Sequence, residues 1–287
     1  MKNKGFKTFI YGLLALVISS INFAFTTDNP CKKDTTVATG FKLKTIVIDA
    51  GHGGKAAGAL GAYSMEKNVT LALALKLQKA VQKELKDVNV IMTRTTDVFV
   101  PNRSRADMAN ENKANIYVSL HCNSLPNARR VVNGKTVSVP NRSGKGVLLL
   151  VNRIGRMNEQ VAALRENEFA EQEEQYSKGT ARKELDPAQA MTLNAFRDKF
   201  RKQSIHLASL INNEFTNTDG RNSLGVIEQG VLVLAHTAMP SVLVETGFIN
   251  NPDEEDYLNS EDGQAEIVNS IVRAIKQYKH ELEQTAP

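Results

Sequence analysis

Thr45-Ile-Val-Ile-Asp-Ala-Gly-His52 and Asn115-Ile-Tyr-Val-Ser-Leu-His121 are short apolar runs, and each ends in a histidine. A third run, Ser241-Val-Leu-Val-Glu245, ends in a glutamate. Runs of this length, rich in β-branched residues, read as buried strands. Working outward, Val69, Leu73, Leu77, Ala80 and Val81 recur at three- and four-residue steps after Glu66, which predicts a helix to about residue 86. Further strands are expected over 88–94 and 146–152, and further helices over 103–113, 187–215 and 260–282. The last helix carries Ile267, Ile271, Ile275 and Tyr278 on one face. Strands alternating with helices of these lengths predict an α/β fold: a single domain with a mostly parallel twisted sheet and helices on both faces.

Open sheets of this kind bind ligands at the carboxyl ends of their strands. His52 and His121 fall at corresponding strand ends, and they are two of only five histidines in the chain. Glu66 lies fourteen positions after His52, far enough for the intervening loop to fold back and bring its carboxylate to the imidazole. Imidazole and carboxylate together suit zinc. Glu245 closes a Val-Leu-Val run, where a buried charge is costly without a purpose. Two readings fit it: an ion pair with a nearby Arg or Lys, such as Arg94 or Arg105, or a general base beside a metal, whose charge offsets the cost of ionisation. His206 and His280 read as surface residues, and His236 as structural. Cys122 neighbours His121, but neighbours on a strand point to opposite faces, which argues against a Cys–His dyad.

Composition narrows the class. The chain has 287 residues, 41% of them hydrophobic, enough for a sizeable core. Its net charge of +5 favours an anionic partner, yet no aromatic-interleaved basic stretch points to nucleic acid. Lys2, Lys4 and Lys7 precede an apolar run from Thr8 to Phe25 and a polar exit. Residues 1–25 therefore read as a signal peptide or an uncleaved N-terminal anchor, and the remainder as exported. Residues 26–42 are polar and read as a linker. With only Cys31 and Cys122, a zinc finger is excluded by spacing, and a buried free Cys122 is favoured over a bridge.

Several motifs together resemble one family. They are Ile46-Val-Ile-Asp-Ala-Gly-His-Gly-Gly54, Glu66-Lys-Asn-Val, Met92-Thr-Arg-Thr-Thr-Asp-Val-Phe-Val100, Arg105-Ala-Asp-Met-Ala-Asn110, Val118-Ser-Leu-His-Cys-Asn123 and Met239-Pro-Ser-Val-Leu-Val-Glu-Thr-Gly-Phe-Ile-Asn250. In this order they resemble the zinc-dependent N-acetylmuramoyl-L-alanine amidases, the cell-wall amidases of the cell-separation type. The resemblance implies a catalytic domain over 43–283, with one zinc ion held by His52, Glu66 and His121 and Glu245 as the catalytic glutamate. It implies cleavage of the amide between N-acetylmuramic acid and L-alanine of peptidoglycan, in wall remodelling or daughter-cell separation. A periplasmic location follows from the resemblance together with the exported leader. Asn102, and the apolar start of the strand at 146, depart from the family pattern without touching a proposed ligand. A zinc peptidase acting within the stem peptide and a non-catalytic wall-binding protein are the rival readings. Products from muropeptides, with and without chelator, separate them.

Residues 153–185 interrupt the α/β rhythm with a glutamate-rich stretch. A solvated helix is the plain reading. Some relatives carry a helix here that blocks the site until a partner protein displaces it, and Leu164-Arg-Glu-Asn167 resembles its start. Glu166 is then the candidate plug of a regulatory insert. This expectation assumes that the strand before the insert ends near the site.

Overall fold

The computed structural model describes residues 42–153 and 187–284, with backbone alone over 187–197. The leader, nearly all of the linker and Glu166 with its insert lie outside the described residues. Among those described, no helix is long and apolar enough to cross a membrane.

In chain order the elements begin with β1 (Thr45–Ala50), α1 (Glu66–Glu84), β2 (Asn89–Met92), α2 (Asn102–Glu111) and β3 (Ile116–Asn123). An antiparallel hairpin follows, β4 (Ala128–Val132) and β5 (Lys135–Val139), then β6 (Val147–Asn152) and α3 (Pro187–Asn213). A π-helical turn, Glu214–Thr218, continues α3. The chain finishes with β7 (Ser223–Gln229), α4 (Leu232–Ala235), β8 (Ser241–Phe248), α5 (Pro252–Asn259) and α6 (Glu261–Gln284).

Six strands form one sheet in the order β2-β1-β3-β8-β6-β7. The pairings β1–β2, β1–β3, β3–β8 and β6–β7 are parallel, and β6–β8 alone is antiparallel. The mostly parallel sheet is as expected, but the direction of β6 is not. Leu148 pairs with Glu245 and Leu150 with Leu243, so β6 runs away from the ends of β3 and β8. The premise that the strand before the insert ends near the site is therefore corrected: the chain leaves Asn152 toward the opposite edge of the sheet.

Alternation along the strands gives the sheet two dry faces. Ile46, Ile48, Val118, Leu120, Val242 and Val244 point to one side, where Leu73 and Leu77 of α1, Leu207 and Ile211 of α3, and Ile267 and Ile271 of α6 cover them. Val47, Tyr117, Leu150 and Leu243 point to the other, under Ala109 of α2 and Leu234 of α4. The apolar stripe read in the last helix is the one buried: Ile267, Ile271, Ile275 and Tyr278 are each at most 1% exposed. Among the described residues, α2 and α4 are the helices that cover this second face. His121 and Glu245 lie on this side, by alternation from Tyr117 and Leu243.

Candidate metal centre

Parallel pairing of β1, β3 and β8 brings their carboxyl ends to one edge. His121 is directly opposite Glu245 in the β3–β8 register. Strand β1 stops one residue before Gly51, whose N–H donates to the Leu120 carbonyl at 3.1 Å. The chain then turns at His52, which holds a left-handed φ of +60°. Such a backbone is rare for a non-glycine residue and persists where surrounding contacts over-determine it.

Those contacts come from two buried guanidinium groups. Arg105 Nη2 donates to the His52 carbonyl at 2.6 Å, and its Nη1 donates to the Ala50 carbonyl at 2.6 Å. Arg94 Nε donates to the same Ala50 carbonyl, and Arg94 Nη2 to the carbonyls of Gly51 and Lys67, each at 2.8 Å. Both arginines are thus engaged in clamping the His52 turn, which weakens the reading of either as an ion-pair partner for Glu245. Asp49 neutralises Arg105 at 2.6 Å and also accepts from the hydroxyls of Thr93 and Ser119. Burial alone would raise the Asp49 carboxyl, but Arg105 and the two hydroxyls outweigh it and hold it well below the usual carboxylate range.

Glu66, first residue of α1, folds back to both histidines. Its Oε2 lies 3.1 Å from His52 Nε2, and its Oε1 lies 2.9 Å from His121 Nδ1. Backbone N–H groups of Ala59 and Cys122 donate to the same carboxylate at 2.7 and 2.9 Å. Burial would raise this carboxyl too, but the two histidines overcome that and hold it low, so it is ionised. One ligand atom from each of His52, Glu66 and His121 falls within 4.8 Å of the others. Glycine makes the space: a β-carbon on Gly58 would lie 2.5 Å from Glu66 Oε2. Two imidazoles and an ionised carboxylate, converging in a glycine-lined cradle, fit a zinc ion.

The loop leading into Glu66 is held from below. Glu255 of α5 accepts from the backbone N–H groups of Ala62, Tyr63 and Ser64 at 2.7, 2.9 and 2.8 Å, and from the Ser64 hydroxyl at 2.8 Å. Neither Asp49 nor Glu255 featured in the sequence reading. Asp49 carried a signal, because an acid inside an apolar run follows the same logic as Glu245. The other histidines lie elsewhere. His236 precedes β8 at the far edge, its carbonyl accepting from Asn110, and His206 pairs with Glu281 on the surface. Cys122 is buried and free, and burial pushes its thiol well up.

Fold and donor set together define an α/β protein with two histidines and a glutamate, able to hold a metal ion, at the carboxyl edge of its sheet. A family model described as N-acetylmuramoyl-L-alanine amidase matches residues 46–277, and the chain belongs to that family. It is 30% identical over 276 residues to N-acetylmuramoyl-L-alanine amidase AmiA of Salmonella typhimurium, spanning 94% of this chain and 89% of that relative. The structure of an N-acetylmuramoyl-L-alanine amidase from Clostridium difficile 630 superposes with a TM-score of 0.57 at 21% identity, covering 83% of this chain and 97% of the other. The CwlD amidase of Clostridioides difficile, solved in complex with the GerS lipoprotein, gives 0.53 at 22% identity over 82% of this chain and 98% of its own. Both share the fold.

Proposed function

We propose that this protein hydrolyses the amide between N-acetylmuramic acid and L-alanine in peptidoglycan. His52, Glu66 and His121 hold one zinc ion, and Glu245 is the general base. The observation that carries this reading is the register that sets Glu245 directly beside His121 on the adjacent strand. When bound, zinc supplies Lewis-acid polarisation of the scissile carbonyl and of water. Glu245 takes a proton from the attacking water and returns it to the departing alanine nitrogen. Glu66, held by the backbone N–H groups of Ala59 and Cys122, would present its carboxylate to the ion between the two imidazoles. The Arg94–Arg105 clamp keeps the His52 turn from relaxing. Neither a serine nor a cysteine is needed as nucleophile, and the thiol of Cys122 is buried on the opposite side of β3.

Export to the periplasm and a role in wall remodelling or cell separation belong to the same proposal, supported by the basic-apolar leader and the family resemblance. So does a regulatory insert in which Glu166 caps the site until an activator protein withdraws it. From Asn152 back to the Glu245 row is four strand residues, about 13 Å, a distance the insert spans easily.

The test is Glu245→Gln. Zinc content should match the wild type, and release of stem peptide from muropeptides should fall at least about 100-fold. Near-wild-type turnover would show that Glu245 is not the base.

A further inference from the structure

Both faces of the β4–β5 ribbon are exposed from residue 129 to 138. A lone two-stranded ribbon is marginal in water. Two local devices hold this one. Asn133 and Gly134 at its tip have φ of +51° and +75°, as the tight two-residue turn between twisted strands requires. At its base, Asn250 Nδ2 donates to the carbonyls of Leu125 and Asn141 at 2.9 and 3.0 Å, one on each side of the ribbon. Asn251 Nδ2 adds a bond to the Gly144 carbonyl at 2.8 Å. Both asparagines lie within three residues of the end of β8. The ribbon thus stands on the segment after Glu245, leaving from the end of β3 and returning into β6, whose Leu148 pairs with Glu245.

Its chemistry is one-sided. From Ser124 to Lys145 the chain carries Arg129, Arg130, Lys135, Arg142 and Lys145 and no acid. Among the described residues only Lys145 of these makes an ion pair, with Asp253 at 2.8 Å. Register places Arg130, Val132, Lys135 and Val137 on one face of the ribbon and Arg129 with Val131 on the other. Val131 is 72% exposed, a position that no packing among the described residues explains.

We propose that this ribbon is a second binding site for the substrate polymer, gripping peptide stems next to the one being cut. The guanidinium and ammonium groups would take free carboxylates of the stems, and the valines would lie against alanine methyl groups. The inference rests on the amidase reading above, which supplies the occupant. A stem joined to its glycan at the site has neighbours along the same strand, and an arm of five residues extends about 17 Å beyond its base. Arginine's planar fork matches a carboxylate bidentately. An anionic membrane would also attract the cations, but residues 124–145 hold no aromatic side chain of the kind that anchors at a bilayer surface.

Co-sedimentation of the full chain with sacculi stripped of protein and lipid tests the proposal. The R129A/R130A/K135A variant should bind about tenfold more weakly at low salt, with a flatter salt dependence, since the lost contacts are screened surface pairs. Converting the sacculus carboxylates to amides should weaken the wild type by a similar factor. Hydrolysis of a short soluble muropeptide should be unchanged in the variant, which also reports that it is folded. Equal binding of wild type and variant overturns the proposal, as does wild-type binding that is indifferent to amidation. Loss confined to phosphatidylglycerol vesicles overturns it in favour of a membrane. If neither protein releases stem peptide, the amidase reading fails, whereas a difference in their binding still assigns the ribbon to the sacculus carboxylates.

Discussion

A β-carbon on Gly51 would lie 2.5 Å from both Cε1 and Nε2 of His121 and 2.8 Å from the Leu120 carbonyl oxygen. The carbonyl is fixed in the sheet, so the imidazole must move. Gly51→Ala should therefore keep its fold but lose zinc affinity, by about 10–100-fold as when other supports of metal-ligating histidines are removed. A competitive chelator titration measures this, and wild-type affinity would show that the ring has room to spare. Asp49 is the second test at this scale. Asp49→Asn leaves the Arg105 charge buried without its counter-ion, and breaking a buried pair from one side costs about 3–5 kcal/mol, read from the denaturant midpoint. The pH sign follows from the lowered folded pKa of Asp49. Its contribution is present above the unfolded carboxyl value of about 4 and is lost as pH falls through the lower folded value. Wild-type stability should decline on acidification below about pH 4, and the Asp49→Asn profile should be flatter over that window.

Among the elements, α5 matters beyond its eight residues. It places Glu255 under three successive backbone N–H groups of the loop that precedes Glu66. Burial raises the Glu255 carboxyl, but those donors and Ser64 overcome it and hold it ionised. Glu255→Gln puts an amide where only acceptors fit. It should cost about 1–3 kcal/mol and speed hydrogen exchange at Ala62, Tyr63 and Ser64. Undisturbed exchange there would mean the loop is held by other contacts. The strands that carry the two histidines were legible in sequence because burial on both faces writes a parallel strand as an apolar run, so the polar residue that ends it stands out. His52 and His121 were readable on that basis and Glu66 from its spacing at a helix start, and the three converge in the structure. Strand direction was not: Val147-Leu-Leu-Leu-Val reads the same for a strand running either way. The Arg94 and Arg105 clamps join residues 27 to 55 positions apart, beyond any local pattern. Two misses did carry local signals, the Asn133-Gly134 turn of the ribbon and the Asn251-Pro252 start of α5, whose side chain caps Asp253 N.

Across the whole molecule, the reversed β6–β7 pair puts the insert's departure point on the sheet edge away from the histidines. A plug from there must cross the molecule, and its removal should leave the zinc cradle intact. Replacing residues 154–186 with a short Gly-Ser linker should therefore raise basal hydrolysis without altering zinc stoichiometry or products. Unchanged or lower activity in a folded, zinc-loaded variant would rule the plug out. Strand β8 is the last strand of the chain yet lies between β3 and β6, in the interior of the sheet. It brings Glu245 with it, and α6 behind it seals the larger core. During synthesis the two histidines and Glu66 therefore emerge long before the strand that pairs with β3 on its other side. A chain that stops before β8 has an unfilled position at the centre of its sheet and lacks Glu245. On the reading proposed above, such a fragment would be unable to hydrolyse the wall of the cell that made it.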